Sequence, residues 1–235
     1  MSSLYFIRHG QASFGAGNYD RLSDLGISQS RILGEYLASL GVVFDEAYTG
    51  EMARQGDTAR MVLGARPGQG SAFPVEVRPE FNEYSSDEVF RLQLPAVLEA
   101  EPHLRPLSER IFTDRKAFQL IFEKTMMRWI SGRHDLPGCE TWVEFSRRVR
   151  RGVERIMEES GRGRTVALFS SGGPLCILMQ KALDLTDESA LRVNWTVKNA
   201  SVTVFLFNGN RLTLSSFNST AHLEQQKDPK LLTYR

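Results

Sequence analysis

This 235-residue sequence predicts an α/β protein, a three-layer α/β/α sandwich whose mostly parallel sheet carries an antiparallel edge hairpin and a helical insertion. Three observations lead there. Short apolar runs of strand length stop at turns that open into helical patterns, as in Leu4-Tyr5-Phe6-Ile7 before Arg8-His9-Gly10 and Thr165-Val166-Ala167-Leu168-Phe169 before Ser170-Ser171-Gly172-Gly173-Pro174. Strands that alternate with helices in this way build a parallel sheet covered by helices. Near the end, Ser201–Phe207 and Arg211–Phe217 flank Asn208-Gly209-Asn210, a strong hairpin signal. Between about 86 and 138 the pattern is mostly helical, which places a helical cap insertion inside one domain of residues 1–235.

In chain order, the first strand runs into a small-residue loop, Gln11 to Gly17, and Leu22-Ser23-Asp24-Leu25-Gly26 leads into a helix. Its apolar positions Ile32, Leu33, Tyr36, Leu37 and Leu40 have helical spacing, and Gly41 closes it. Val42–Thr49 reads as a second strand with its approach, and Gly50–Arg60 turns from it into a helix ending near Gly64. Arg66–Ala72 is a Gly-rich loop, and Val75-Glu76-Val77-Arg78 is a short strand that leads to Phe81-Asn82-Glu83. In the insertion, Val89, Phe90 and Leu94 pattern one helix, and Phe118, Ile121, Phe122, Met126, Trp129 and Ile130 another. That aromatic and methionine stripe is packing, not a cofactor box. A long helix follows from Glu140-Thr141-Trp142 to about Ser160. The tail from Gln225 onward is expected to be partly ordered at best.

Hydrophobic residues make up 41% and charged residues 24%, with a net charge of +1, so no general attraction to nucleic acid or membrane is expected. The local cluster Arg147, Arg148, Arg150, Arg151 and Arg155 reads as the solvated face of a helix whose other face holds Val149, Val153 and Ile156. Only Cys139 and Cys176 are present, without metal-ligand spacing, which fits a reduced cytoplasmic setting. No signal peptide is read at the N-terminus, and no run reaches the roughly 18 to 20 apolar residues of a membrane span.

Four strand-end segments would share one rim of such a sheet: Arg8-His9-Gly10, Thr49–Arg54, Phe81-Asn82-Glu83 and Ser170–Gly173. Open α/β sheets bind ligands there. Two arginines can bracket the nonbridging oxygens of a phosphate. A neutral His9 can attack phosphorus and carry the phosphoryl group, and its arginine neighbours favour the neutral ring. A carboxyl group can protonate a leaving alkoxide.

These motifs resemble the histidine phosphatase superfamily, also called the phosphoglycerate mutase-like family. The resemblance covers most of the chain. It rests on Arg8-His9-Gly10, Leu22-Ser23-Asp24-Leu25-Gly26 with Gln29, Tyr48-Thr49-Gly50 with Arg54 and Thr58-Ala59, and Asn82-Glu83. Gly138-Cys139-Glu140, the strand into Gly172-Gly173-Pro174, and Thr220-Ala221-His222-Leu223 complete it. It implies that His9 is the phosphoacceptor, that Arg8 and Arg54 hold phosphate with Gln11 and Gly172 beside them, and that Glu83 donates the proton. It implies no metal and no organic cofactor.

One position departs. The family reads Ser-His-Gly-Gly where this chain has Ser170-Ser171-Gly172-Gly173, so Ser171 stands at the place of a second active-site histidine. A hydroxyl offers a neutral hydrogen bond in place of a charge-assisted one about twice as strong. The expectation is phosphomonoester hydrolysis through phospho-His9, weakened at Ser171. The alternative is a catalytically inactive protein that binds a phospholigand or a partner, and a phosphoglycerate-type mutase is the third option. His222 is considered as a replacement imidazole. Ser171 is considered as a nucleophile, against which stands Phe169, where a nucleophile elbow needs glycine. His103 and His134 are expected at the surface. The ligand would be a phosphorylated small molecule, or phosphate or sulfate, with the substrate set by the insertion. Oligomeric state stays open, with a dimer as one option.

Overall fold

The computed structural model describes residues 1–13, 20–65 and 73–234. Two loops read from the sequence, Arg66–Ala72 and the Phe14–Gly17 part of the first loop, lie outside the described residues. The chain divides into two compact units, residues 1–83 with 148–235 and residues 84–147. The insertion expected at 86–138 falls inside the second.

The first unit is built on a six-stranded sheet: β1 (Ser2–Arg8), β2 (Glu46–Thr49), β3 (Glu76–Val77), β4 (Thr165–Ser170), β5 (Val202–Asn208) and β6 (Arg211–Ser219). The spatial order is β3-β2-β4-β1-β5-β6. The strands from β3 to β1 pair in parallel, and β5 and β6 are antiparallel additions at one edge. The hairpin closes where Asn208 pairs with Arg211 across Gly209, whose φ of 56° suits glycine. This is the mixed α/β architecture expected, with helices around the sheet.

The helices are α1 (Asp24–Ser39), α2 (Ala53–Gly64), α3 (Ser86–Ala100), α4 (Arg105–Ser108), α5 (Arg115–Ile130), α6 (Trp142–Glu159), α7 (Gly172–Leu183), α8 (Asp187–Asn194) and α9 (Ala221–Glu224). Alternate residues of a strand face opposite sides. Ile7, Ala47, Ala167 and Phe169 pack with Leu33 and Leu37 of α1 and Val62 and Leu63 of α2. Their neighbours Leu4, Phe6, Val166 and Leu168 are also fully buried, so both faces of the central strands are covered. On α6, Val149, Val153 and Ile156 are buried as the spacing predicts.

In the second unit, Phe122 stacks on both Phe90 and Phe118, and Tyr84 lies 4.7 Å from Trp129, ring centre to ring centre. The stripe is packing. His103 is exposed there and His134 half-buried.

Two expectations are corrected. The tail is built in: a 3-10 turn at Pro229–Leu231 follows α9, and Leu231 is buried. Its order comes from long-range bonds to Gln29 and Asn199, which no local pattern announces. The arginines of α6 are also not a uniform solvated face. Arg147, Arg151 and Arg155 are exposed, but Arg150 donates to Gln180 Oε1 (2.6 Å) and Arg148 is bound to backbone carbonyls.

Candidate active site

The parallel register sets the site. Arg8 is aligned with Ser170, so β1 and β4 end side by side, and the His9 N–H donates to the Ser170 carbonyl at 2.9 Å. Gly10 then passes between α1 and α2. A Cβ there would lie 2.4 Å from the Gly26 carbonyl oxygen, and the Gly10 N–H donates to Thr58 Oγ1 at 3.1 Å. Only glycine permits that approach.

His9 is 5% exposed, and its Nδ1 is 2.7 Å from the Gly10 carbonyl oxygen. A carbonyl only accepts, so in the neutral ring Nδ1 carries the hydrogen and Nε2 keeps its lone pair. Arg54 Nε donates to that Nε2 at 3.3 Å. Burial, then the charges of Arg8 and Arg54, hold the His9 pKa well below 6.5, so the ring is neutral at pH 7. The tautomer leaves the ring's lone pair on Nε2, the atom able to act as a nucleophile.

Arg54 is the second residue of α2 and is buried. Its Nη1 pairs with Asp20 Oδ1 at 2.8 Å. Asp20 also accepts from the N–H groups of Ala53 (2.9 Å) and Arg54 (3.4 Å). It thus does for α2 what its N-cap residue Met52 does not. The sequence hint was the missing Ser, Thr, Asp or Asn at that N-cap. Arg8 is half-buried, and its Nη1 donates to the Val197 carbonyl.

Glu83 follows the 3-10 turn Pro79–Phe81, and its Oε2 accepts from the Gly173 N–H at the start of α7 (3.0 Å). Beneath it, burial and the Glu83 charge push the Cys176 thiol pKa up, so Cys176 is no thiolate nucleophile. Ser171 is fully buried. Its Oγ accepts from Gln55 Nε2 at 2.8 Å, and it makes no side-chain cap on α7. Gln55, equally buried, also donates to the Phe81 carbonyl (3.2 Å). The sequence did not single it out. A Cβ at Gly172 would collide with Asn194 Oδ1 at 1.9 Å.

Gln11 is turned toward α1. Its N–H donates to Gln29 Oε1 (2.8 Å), and its Oε1 accepts from Ser23 Oγ (2.9 Å). His222 is placed elsewhere. It is buried against the Tyr36 ring, 5.9 Å between centres, and bonds the Ala200 backbone.

The loop around His9 has a deeper support. The His9 carbonyl accepts from Ala200 N (3.1 Å) and Asn199 Nδ2 (3.3 Å). Asn199 Oδ1 accepts from Thr233 Oγ1 (2.9 Å), and Gln29 Nε2 donates to Thr233 Oγ1 (3.0 Å) and the Leu231 carbonyl (2.8 Å). Among the described residues no cluster of three or more His, Cys, Asp or Glu is arranged to hold a metal, and no helix is long and apolar enough to cross a membrane.

Residues 4–107 and 88–220 match the family model for the histidine phosphatase superfamily, branch 1. The chain belongs to the histidine phosphatase superfamily. Within it, a 74-residue stretch is 39% identical to a 2,3-bisphosphoglycerate-dependent phosphoglycerate mutase of Rhizobium etli, covering 29% of this chain and 35% of that protein. The match thus spans about a third of the length of that curated relative. Among solved structures, a phosphoglycerate mutase from Bacillus anthracis aligns with a TM-score of 0.66 at 20% identity over 97% of both chains. A mycobacterial glucosyl-3-phosphoglycerate phosphatase in complex with inorganic phosphate aligns with a TM-score of 0.64 at 20% identity, over 94% of this chain and 98% of that one. An alpha-ribazole phosphatase from Shigella flexneri gives 0.61 at 24% identity, over 92% and 96%. These structures share the fold, and they include phosphatases as well as a mutase.

Proposed function

We propose that this protein hydrolyses phosphomonoesters through a phosphohistidine at His9. The observation that carries the reading is the buried His9 ring, its Nδ1–H spent on Gly10 and its Nε2 lone pair beside Arg54. In the first step Nε2 attacks phosphorus, the P–O ester bond breaks, and the leaving oxygen takes a proton from the Glu83 carboxyl. Arg8 and Arg54 hold the nonbridging oxygens, whose charge they offset in the transition state. In the second step water attacks the phosphohistidine, gives its proton to the Glu83 carboxylate, and inorganic phosphate leaves. Gly172 lines this rim, whereas Gln11 supports the loop from behind. The ligand is a phosphorylated small molecule, and the setting is cytoplasmic.

Turnover is expected to be slow. Ser171, standing where the family has its second histidine, accepts a hydrogen bond from Gln55 with its hydroxyl oxygen, so no imidazolium meets the phosphoryl oxygens from this position. Loss of one such donor costs about 10²- to 10³-fold in rate. The same observation favours a second reading, a protein that binds a phospholigand without turning it over. The Rhizobium relative adds a mutase reading, which shares the first step and differs in returning the phosphoryl group to product.

Aryl phosphate hydrolysis, with an alkaline quench and mass spectrometry under non-acidic conditions for a phosphorylated His9 peptide, separates these readings. The phosphatase reading expects slow release of phosphate and a trapped phospho-His9, both lost in His9→Ala. Phosphate binding through Arg8 and Arg54 with neither signal supports the binding reading instead. Phosphoryl transfer to an added phosphoglycerate in preference to water supports the mutase.

A further inference from the structure

We propose that Arg148 is the positioning residue for Glu83, fixing the turn that presents the carboxyl to the leaving group. The inference rests on the phosphatase reading and adds to it the device that holds the proton donor in place. Arg148 acts on the backbone just before Glu83. Arg148 Nη1 donates to three carbonyls of that segment, Pro79 (3.2 Å), Glu80 (3.0 Å) and Asn82 (3.0 Å). The fourth, Phe81, accepts from Ser170 Oγ (2.7 Å) and Gln55 Nε2 (3.2 Å). All four carbonyls from 79 to 82 are therefore bound by side chains, three of them by one guanidinium. Charged donors make the stronger hydrogen bonds.

A second contact from the same helix face reinforces the first. One turn beyond Arg148, Gly152 lets α6 close on the segment: a Cβ there would lie 2.8 Å from Glu80 Cβ and 2.9 Å from Phe81 Cζ. On the sheet side, Asn82 Oδ1 accepts from the Glu51 N–H at 2.7 Å. Glu83 leaves this clamp with its Oε2 on Gly173 N–H. A proton donor must meet the leaving oxygen within hydrogen-bond reach, and a misplacement of about 1 Å can cost about 10²-fold. Arg148 touches neither phosphate nor leaving group in this scheme. It acts through Glu83.

The test uses leaving groups. A proton donor matters for a basic leaving group such as phenoxide and little for 2,4-dinitrophenoxide, which departs as the anion. kcat/KM, which reports phosphoryl transfer to His9 without the later hydrolysis, is measured for phenyl phosphate and 2,4-dinitrophenyl phosphate with the parent protein, Glu83→Gln, Arg148→Ala and Arg148→Lys. Glu83→Gln should lose about 10²-fold or more on phenyl phosphate and stay near the parent on the dinitrophenyl ester. Arg148→Ala should show the same selectivity with a loss of about tenfold, and Arg148→Lys should recover part of it. If Glu83→Gln slows both esters equally, the assignment of Glu83 fails and the phosphatase reading with it. If Glu83→Gln is selective but Arg148→Ala slows both esters equally or neither, the role of Arg148 is overturned while the reading stands. Should Arg148→Ala not fold, judged by its urea midpoint, Arg148→Lys and Arg148→Gln carry the same comparison.

Discussion

Replacing His222 with phenylalanine should make the protein relatively more stable in acid. His222 is 2% exposed, its ring lies against Tyr36, and its Nε2 has no hydrogen-bond partner. Burial lowers its pKa from 6.5 to about 4, against the smaller opposing pulls of the Ala200 backbone and the Glu224 charge. Below pH 6.5 the unfolded chain takes up a proton that the folded chain refuses until about pH 4, so stability falls as pH drops through that window. At about 1.36 kcal/mol per pKa unit, the loss between pH 7 and pH 4.5 is about 2.5 kcal/mol. Phenylalanine has a similar shape and does not titrate. His222→Phe gives up the Ala200 bond, a cost that is the same at both pH values and drops out of the difference. His9, also held neutral by burial, is present in both proteins and cancels. Urea unfolding followed by circular dichroism at pH 7 and pH 4.5 gives the four free energies needed. The gap between variant and parent should swing by about 2.5 kcal/mol toward the variant on acidification. A swing below about 1 kcal/mol would refute the argument that burial holds this ring neutral.

Two further outcomes concern the rim. Ser171→His alone should fail to accelerate aryl phosphate hydrolysis and should destabilise the fold by about 1–3 kcal/mol, because the enlarged side chain meets Gln55 in a fully buried space. With Gln55→Ala added, initial rates should rise by about 10²-fold, and a full gain in the single variant without loss of stability would contradict the crowding. Arg54→Met should raise the His9 pKa, read by NMR titration of the imidazole, while burial and Arg8 still keep it under 6.5. A pKa that stays put or falls would show that Arg54 does not bear on the ring.

What could be read from the sequence was what is local. The apolar runs ending at Arg8 and Ser170, the helical spacing of α1 and α6, and the Asn208-Gly209-Asn210 turn each carry their period or turn chemistry within a few residues. The rim followed, since strand ends in an open parallel sheet share one side. The partners of the rim side chains did not. Asp20 reaches α2 from 33 residues upstream, and Arg148 reaches the Glu83 turn from 66 to 69 residues downstream. An arginine beside others on an amphipathic helix reads as solvated until the backbone it meets is known. Gln55 had no pattern of its own and gained meaning only when Ser171 was found against it. The tail was misjudged for the same reason: polar residues around Pro229 resemble a frayed end unless Gln29 and Asn199 are known to await them.

The Thr233 bracing has a consequence for how the protein comes into being. His9 is made 190 residues before Asn199, and the groups that meet Gln29 lie 202 and 204 residues beyond it. Closing loops of that length costs chain entropy that only the assembled sheet can offset. The loop bearing His9 is therefore braced only once Asn199 and Thr233 are in place, and a growing or nicked chain lacking those residues carries the whole Arg-His-Gly triplet without its support.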